Sequence, residues 1–598
     1  MNHRVNPGDG DKMCEWVITS NELVEIAGFE LILKNRQFRL YHKGDGIYFF
    51  DFKGDKISVI IDGYVLPRLD CAKEFSSYTP GPFIKELYLR YRLGLINYIK
   101  GNFVVIIIKG NEFFIFNDRI GIKKFFYYVE GSCFIFSNRF KLLSDNISCK
   151  VNYENLAIYT LMNQFIDGLT FLKDVFYSKP SSKICFNGKI TVDSYWNCEK
   201  LLSQKIKKIS YNSFSETFIK IIKSYIDYLN PGKISLTLTG GLDSRTILAA
   251  LLHLGIKPGT FSYGNPFSGD VITAKKVAHA CGLNYKNHFV KPSVKWFANL
   301  ADEIVDKGNS IAHIHRAHRL FAVANTSSNE PDNEILFGGY MGGELIRNFF
   351  YDGIIMTGFT KDWINRRLKR KGLIIRYLDK NFLKVDNIDV DKIANILSNQ
   401  KFSGIEHRMN EFFLTFLVAA GLYHAQDMNL FGNYKRYPVP VYLDVDFLRL
   451  IFGSKYNFMY SNVLFGNYIK RIHSHELYCH LIYQLFPRLA SIPLARQGYY
   501  TPKEFVEDNR LIFLAKRLIR KTFTGHQYPV NFSLDDWMKR YVGNQLKIIR
   551  SSEIIRNFMN VEDILNRFKN NDHKTNEKYW RKFTNPIFFS KLFNFYLP

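Results

Sequence analysis

Apolar and polar positions change rhythm along this chain. From residue 14 to about residue 200, short apolar runs follow one another at strand length. Ile57-Ser58-Val59-Ile60-Ile61 runs into Asp62-Gly63, a turn signal that predicts the end of that strand. Asn102–Lys109 and Glu112–Asn117 are split by Gly110-Asn111, and Lys183–Phe186 and Lys189–Val192 flank Asn187-Gly188, so two hairpins are expected. Pro82–Leu95 is one of the few helical patterns in this β-rich, layered half. A polar stretch at Ser203–Ser213 then predicts a boundary. Beyond it strands alternate with helices: helix Phe214–Tyr228, strand 234–238, helix 245–254, strand Thr260–Tyr263 and helix Val271–Cys281. That alternation predicts βαβ units and a parallel sheet. Helical periodicity dominates from about residue 357 onward, and no internal repeat is visible.

Chemistry enters at Leu236-Thr237-Leu238-Thr239-Gly240-Gly241-Leu242-Asp243-Ser244-Arg245. A strand stops at two glycines and a helix begins. Glycines let the backbone approach an anion, and the first N–H groups of a helix point at it with the positive end of the dipole. Thr239 and Ser244 add hydroxyls. Asp243 beside phosphates calls for an intervening cation, which points to Mg²⁺. No Gly-Lys-Ser/Thr follows at Walker A spacing, and the dinucleotide fingerprint is absent.

Composition sets bounds on these readings. At 598 residues, more than one core is expected. Hydrophobic residues at 46% and charged residues at 23% are those of a soluble globular protein. The formal charge of +26 favours anionic partners. Its densest stretches, Arg366–Lys371 and Lys516–Lys521, read as solvated helix faces. Eight cysteines include no Cys-x-x-Cys pair, so neither a zinc site nor a disulfide framework is indicated, and a reducing cytoplasm fits. The polar start Met1–Gly10 does not have the pattern expected of a signal peptide. Apolar runs such as Phe103–Ile108 fall short of the ~20 residues of a membrane helix.

Several motifs resemble one family. The loop at 239–244 resembles the pyrophosphate loop, Ser-Gly-Gly-x-Asp-Ser, of ATP pyrophosphatases, with Thr239 for the first Ser. Phe261–Pro266 with Asp270, then Leu336-Phe337-Gly338-Gly339-Tyr340-Met341-Gly342-Gly343-Glu344-Leu345, then Arg436–Leu448 resemble in order the later motifs of asparagine synthetase and its relatives, β-lactam synthetase and the lasso-peptide cyclases. In the first half, Ile60–Val65, Gly101-Asn102-Phe103, Asp118–Gly121, Phe125–Tyr128, Phe136–Lys141 and Tyr195-Trp196 match the family's glutaminase half. Phe486–Pro493 resembles outlying asparagine synthetase-like proteins. The resemblance covers roughly residues 45 to 500.

It implies an α/β and α+β two-domain protein. Residues 1–205 would form an Ntn-type glutamine amidotransferase-like domain, a β-sandwich layer. Residues 206–510 would form an ATP pyrophosphatase domain with a parallel sheet, of the adenine-nucleotide α-hydrolase-like kind, and 511–598 a helical extension. The implied nucleotide-binding residues are Thr239, Gly240, Gly241, Asp243, Ser244, Tyr263, Gly264, Gly338 and Gly339; Asp243 and Glu344 would hold Mg²⁺; Lys470, Glu344 and Asp444 would be catalytic.

The chain also departs from the family. A working glutaminase needs an N-terminal Cys; here the chain opens Met1-Asn2, and Cys14 follows Met13 without the expected Gly-Ile after it. Asp62 replaces the Asn that would bind glutamine, and Thr79-Pro80-Gly81-Pro82 stands where a Gly-Ser-Asp segment would lie. The glutaminase half is therefore expected to be inactive. Gly343 occupies the place of a second Mg²⁺-binding Asp. His473, His475 and His480 read as surface histidines because their spacing lacks a carboxylate pattern. The expected activity is an ATP-dependent ligase that activates a small-molecule or peptide carboxylate as an acyl-adenylate, releasing AMP and pyrophosphate, for attack by ammonia or a substrate amine. Asparagine formation, peptide macrocyclisation and glycan amidation are alternatives within it; a tRNA-modifying enzyme and a non-catalytic scaffold stand outside it. No membrane and no nucleic-acid partner is expected, and a homodimer is left open.

Overall fold

The computed structural model describes residues 15–20, 26–44, 47–72, 78–288, 294–314, 334–347, 370–399, 425–432, 436–457, 475–495, 500–523, 535–570 and 577–597. The first half builds two antiparallel six-stranded sheets. The strands are β1 (Glu15–Ser20), β2 (Glu30–Lys34), β3 (Phe38–Lys43), β4 (Ile47–Phe52), β5 (Ile57–Pro67), β6 (Ile99–Lys109), β7 (Glu112–Asn117), β8 (Phe126–Glu130), β9 (Cys133–Ser137), β10 (Val175–Tyr177), β11 (Ser182–Phe186) and β12 (Ile190–Ser194). One sheet runs β10-β8-β9-β1-β3-β2 and the other β12-β11-β7-β6-β5-β4. Both expected hairpins form: Lys109 pairs Glu112 across Gly110-Asn111, and Phe186 pairs Ile190 across a three-residue loop.

Period-two alternation explains the layering. On β6, Val104, Ile106 and Ile108 face the other sheet, where Trp16, Phe38, Phe113 and Phe136 fill the space between the two. Phe103, Val105 and Ile107 point the other way, onto helix Pro80–Tyr91. The outer face of the first sheet, with Val17, Tyr41 and Ile135, is covered by helices Phe140–Asn146 and Tyr153–Met162 and by the late helices Asp535–Ile549 and Glu577–Tyr596. The result is a helix–sheet–sheet–helix stack whose outer layer comes from the far end of the sequence.

One expectation fails here. Asp62-Gly63 does not end a strand: β5 continues to Pro67 and stays paired with β6 throughout. Gly63 has φ +98°, and a Cβ there would lie 2.2 Å from the Asn102 carbonyl oxygen. Gly101, at φ +127°, makes the reciprocal close approach to Tyr64 O. The glycines let two long strands come together without a turn.

The second half holds a five-stranded parallel sheet of β13 (Lys233–Thr237), β14 (Gly259–Tyr263), β15 (Tyr285–His288), β16 (Glu334–Phe337) and β17 (Arg436–Val439), in the order β15-β14-β13-β16-β17. Helix Leu242–His253 follows β13 and helix Gly269–Ala280 follows β14. Strand order reverses beside β13. In open parallel sheets this is where a crevice opens at the carboxyl ends of the strands.

The two halves meet through buried polar contacts. Tyr64 Oη and Asn102 Nδ2 both donate to Pro438 O, each at 2.9 Å. Lys100, 1% exposed at its side chain, lies 3.0 Å from both Asp444 and Asp446. Burial alone would lower the Lys100 pKa, but the two carboxylates outweigh it and raise it. The basic stretch 516–521 is largely solvent-facing, as expected, with Arg517 the exception. On helix Arg510–Phe523, Arg517 is buried against the Tyr500 ring and Arg520 pairs with Glu504, while Leu511, Ile512, Leu518 and Ile519 are exposed. Arg366–Lys369 lie outside the described residues. No described helix is long and apolar enough to cross a membrane.

Candidate active site at the paired glycine loops

The loop after β13 is held in shape by its own hydroxyls. Thr239 N–H donates to Ser244 Oγ at 3.1 Å, the two side-chain oxygens lie 3.1 Å apart, and Gly241 N–H reaches Thr239 Oγ1 at 3.4 Å. Gly241 is the N-cap of helix Leu242–His253, which starts without a side-chain cap. A Cβ on Gly241 would meet only Thr239 Oγ1, at 3.5 Å, so the space above it is open to a ligand. Gly240 differs: a Cβ there would lie 2.3 Å from Ala495 Cβ and 3.0 Å from Thr273 Cβ. One glycine accommodates the protein and the other faces the crevice.

The second glycine loop lies against the first. A Cβ on Gly339 would sit 3.0 Å from Asp243 Cβ and 3.1 Å from Ser244 N, and one on Gly342 would also sit 3.0 Å from Asp243 Cβ. Asp243 is thus wedged between Gly339 and Gly342, half-buried in the first turn of its helix. Tyr442 Oη donates to Asp243 O at 2.7 Å. Gly338 packs on the Tyr340 ring. Tyr263 and Gly264 stand at the end of neighbouring β14, which is tied to the loop by Leu238 N–H to Phe261 O at 2.8 Å and Ser262 Oγ–H to Leu238 O at 2.5 Å.

Asp444 is elsewhere. It is 4% exposed and caps helix Val445–Phe452, accepting from Asp446 N at 2.7 Å and Phe447 N at 3.2 Å. Its other oxygen takes Tyr225 Oη at 2.6 Å and the Lys100 ion pair. With both oxygens engaged in capping and joining the two halves, Asp444 is a structural residue and not the expected proton acceptor. Lys470 and His473 lie outside the described residues. Glu344 belongs to helix Gly342–Arg347, but its side chain lies outside the described residues as well. Of the other two histidines, one is buried and one half-buried. His475 is buried with Nδ1 against Tyr500 Oη, and His480 stacks 3.9 Å from the Tyr211 ring, where burial lowers its pKa. No cluster of metal-ligating side chains occurs among the described residues.

In the first half, Asp62 is 6% exposed and fully engaged. Its carboxylate accepts from Trp16 Nε1 at 3.2 Å and Asn138 Nδ2 at 3.1 Å and pairs with Lys123 at 2.8 Å. Cys14 lies outside the described residues.

Three contributors to the loop carry no sequence role in the motif. They are Tyr442, Ala495 and Arg245. Arg245 is completely buried and donates to the carbonyls of Ile492 at 2.5 Å and Pro493 at 3.1 Å. Only the motif's continuation into Ser244-Arg245 hinted at it.

No family model matches the chain. A curated relative, the glutamine-hydrolysing asparagine synthetase 3 of Bacillus subtilis (strain 168), is 26% identical over 216 residues, 33% of this chain. The match spans about a third, 34%, of that enzyme's length. Among solved structures, NMN synthetase from Francisella tularensis aligns at 12% identity over 37% of this chain and 93% of its own, with a TM-score of 0.19. Glutamine phosphoribosylpyrophosphate amidotransferase from B. subtilis, complexed with ADP and GMP, aligns at 9% identity over 55% and 76%, also with a TM-score of 0.19. At those scores the fold rests on the sheet orders above and not on the alignments. Over those 216 residues the chain is similar to asparagine synthetase, and its paired glycine loops stand in the same order as the motifs noted in the sequence.

Proposed function

We propose that this protein is an ATP-dependent amide ligase that forms an acyl-adenylate from a carboxylate and releases pyrophosphate. The carrying observation is the wedge of Asp243 between Gly339 and Gly342, directly beside the uncapped helix start at Gly241. Carboxylates do not react with amines at neutral pH because oxide is a poor leaving group. Attack of the carboxylate on the α-phosphorus of ATP converts that oxygen into part of AMP, and amine attack then expels AMP. The chain's task is to hold the phosphates and the departing pyrophosphate. Gly241 provides close backbone approach, Thr239 and Ser244 provide hydroxyls, and the helix start provides a positive dipole end.

Asp243 would hold Mg²⁺ through a hard carboxylate oxygen at the loop, and Glu344, next in sequence to the second glycine loop, would be a further ligand. Bound there, the ion would neutralise phosphate charge. Tyr263 and Gly264 would border the nucleotide. Lys470 would contribute phosphate stabilisation from the segment outside the described residues. Ammonia or a substrate amine is the nucleophile. The Trp16, Asn138 and Lys123 contacts that occupy Asp62 favour this over glutamine-derived nitrogen.

The test is incubation with ATP, Mg²⁺, aspartate and either ammonia or glutamine, with AMP, pyrophosphate and asparagine measured by mass spectrometry. AMP and pyrophosphate formation that disappears in Asp243→Ala is expected. An active Asp243→Ala enzyme would sink the site assignment. Failure of the wild-type protein to bind Mg·ATP would leave the scaffold reading standing.

A further inference from the structure

Behind the first glycine loop runs the short segment Ile492-Pro493-Leu494-Ala495, which the ligase chemistry above does not use. It is fastened to the loop from three sides. Ala495 N–H donates to Gly240 O at 3.2 Å. The Ala495 methyl occupies the space a Cβ on Gly240 would need, with 2.3 Å between them. Arg245 reaches Ile492 O at 2.5 Å, Pro493 O at 3.1 Å and Gly240 O at 3.5 Å. The guanidinium therefore touches both the segment and the loop.

Its electrostatic setting is unusual. Arg245 is 0% exposed, its Nε has no hydrogen-bond partner, and its hydrogen-bond acceptors are backbone carbonyls. Among the described residues it makes no ion pair with a carboxylate. A buried cation is normally paired, because taking a charge out of water is costly. Burial accordingly lowers its pKa from the ordinary arginine value to about 10, which still leaves it charged at neutral pH. The charge sits one residue past Ser244, under the loop that would receive phosphate. An anion bound on the far side of that loop would supply the negative charge that the described residues do not.

We propose that Arg245 and Ile492–Ala495 form a clamp in which the buried guanidinium positions the glycine loop and supplies its uncompensated positive charge, so that phosphate binding depends on it. This rests on the ligase reading. Arg245 acts through the loop, as a positioning residue. Arginine suits the role because its planar fork can engage several carbonyls at once while remaining charged, whereas lysine offers one point of attachment.

The test is calorimetric titration of the full chain with Mg·ATP, with pyrophosphate and with adenosine. Arg245→Met is expected to weaken ATP and pyrophosphate binding tenfold or more while leaving adenosine binding within twofold. Arg245→Lys, which keeps the charge and loses the fork, should fall between the two. Ala495→Val presses on Gly240 without touching the charge, and should weaken both phosphate ligands as well. It also serves if Arg245→Met fails to fold. Equal loss for all three ligands would mean a purely structural residue and overturn the clamp. Wild-type affinity in Arg245→Met, or in both Arg245→Lys and Ala495→Val, would also overturn it, with the ligase reading intact. A wild-type protein that binds none of the three ligands would remove the ligase reading and the clamp together.

Discussion

Replacing Lys100 by Met tests how the two halves are joined. The ammonium lies 3.0 Å from Asp444 Oδ2 and 3.0 Å from Asp446 Oδ2. At that distance each attraction is about 5 kcal/mol for an effective dielectric of ~20, before the cost of dehydration. Methionine keeps the length and apolar stem of the side chain but leaves two buried carboxylates facing each other. Truncating one partner of a buried pair costs about 3–5 kcal/mol. Asp444 keeps its two cap N–H groups and Tyr225, whereas Asp446 keeps the Leu69 N–H at 3.2 Å and the more distant Arg68 at 3.7 Å, so Asp446 suffers more. Burial already raises the Asp446 pKa, with Asp444 adding to the rise and Lys100 opposing it. Loss of Lys100 raises it further. A carboxyl whose folded pKa lies above its unfolded value holds its proton more tightly when folded. Its penalty is complete above the folded pKa, shrinks as pH falls through that value, and is gone below the unfolded one. The Lys100→Met deficit, measured by urea denaturation followed by fluorescence, should therefore be largest near pH 7.5 and diminish towards pH 5. Adding Asp446→Asn should recover part of it at pH 7.5. A deficit that does not change with pH, or one below about 1 kcal/mol, would refute this account of the junction.

Two further substitutions probe the glycines. Gly63→Ala combines a φ of +98° with a Cβ 2.2 Å from Asn102 O, so it should cost about 3 kcal/mol or more in chemical denaturation; a cost under 1 kcal/mol would mean that the β5–β6 approach is not tight. Gly339→Ala places a methyl 3.0 Å from Asp243 Cβ and 3.1 Å from Ser244 N. It should weaken Mg·ATP binding about tenfold, or ~1.4 kcal/mol, with the unfolding midpoint nearly unchanged; undiminished binding would show that the loops need no close contact.

The glycine loop was legible because its signal is local: a strand, two glycines and a helix within a dozen residues. The two hairpins were legible for the same reason. Asp62-Gly63 misled because its composition is that of a turn, while its conformation answers to Asn102 on a strand some forty residues away. Asp444 misled in a similar way. It lies in a family-like motif, but its roles as cap and ion-pair partner depend on Lys100 and Tyr225, which no pattern near it announces. Arg245 shows the opposite failure. Its partners are backbone carbonyls, which every residue possesses, so nothing in their side chains marks the contact. In the Lys516–Lys521 run only Arg517 was misjudged, because charge density does not say which position of a helix packs inward; Phe513 and Arg517 do.

The outer helical cover of the first sheet has a consequence for synthesis. Phe140 meets Tyr596 edge to face, Phe171 packs on it at a tilt, and Tyr159 packs on Phe588 and Phe589. At ordinary rates of about 5–20 residues per second, roughly 400 residues separate the last strand of that sheet from helix Glu577–Tyr596, a delay of about 20–80 s. For that interval a newly made aromatic surface waits for its lid while the second half emerges from the ribosome. The first half is thus the first made and the last finished. Cells producing this protein should show nascent chains held by general chaperones, and chains that stall before the final helix should be the ones that aggregate.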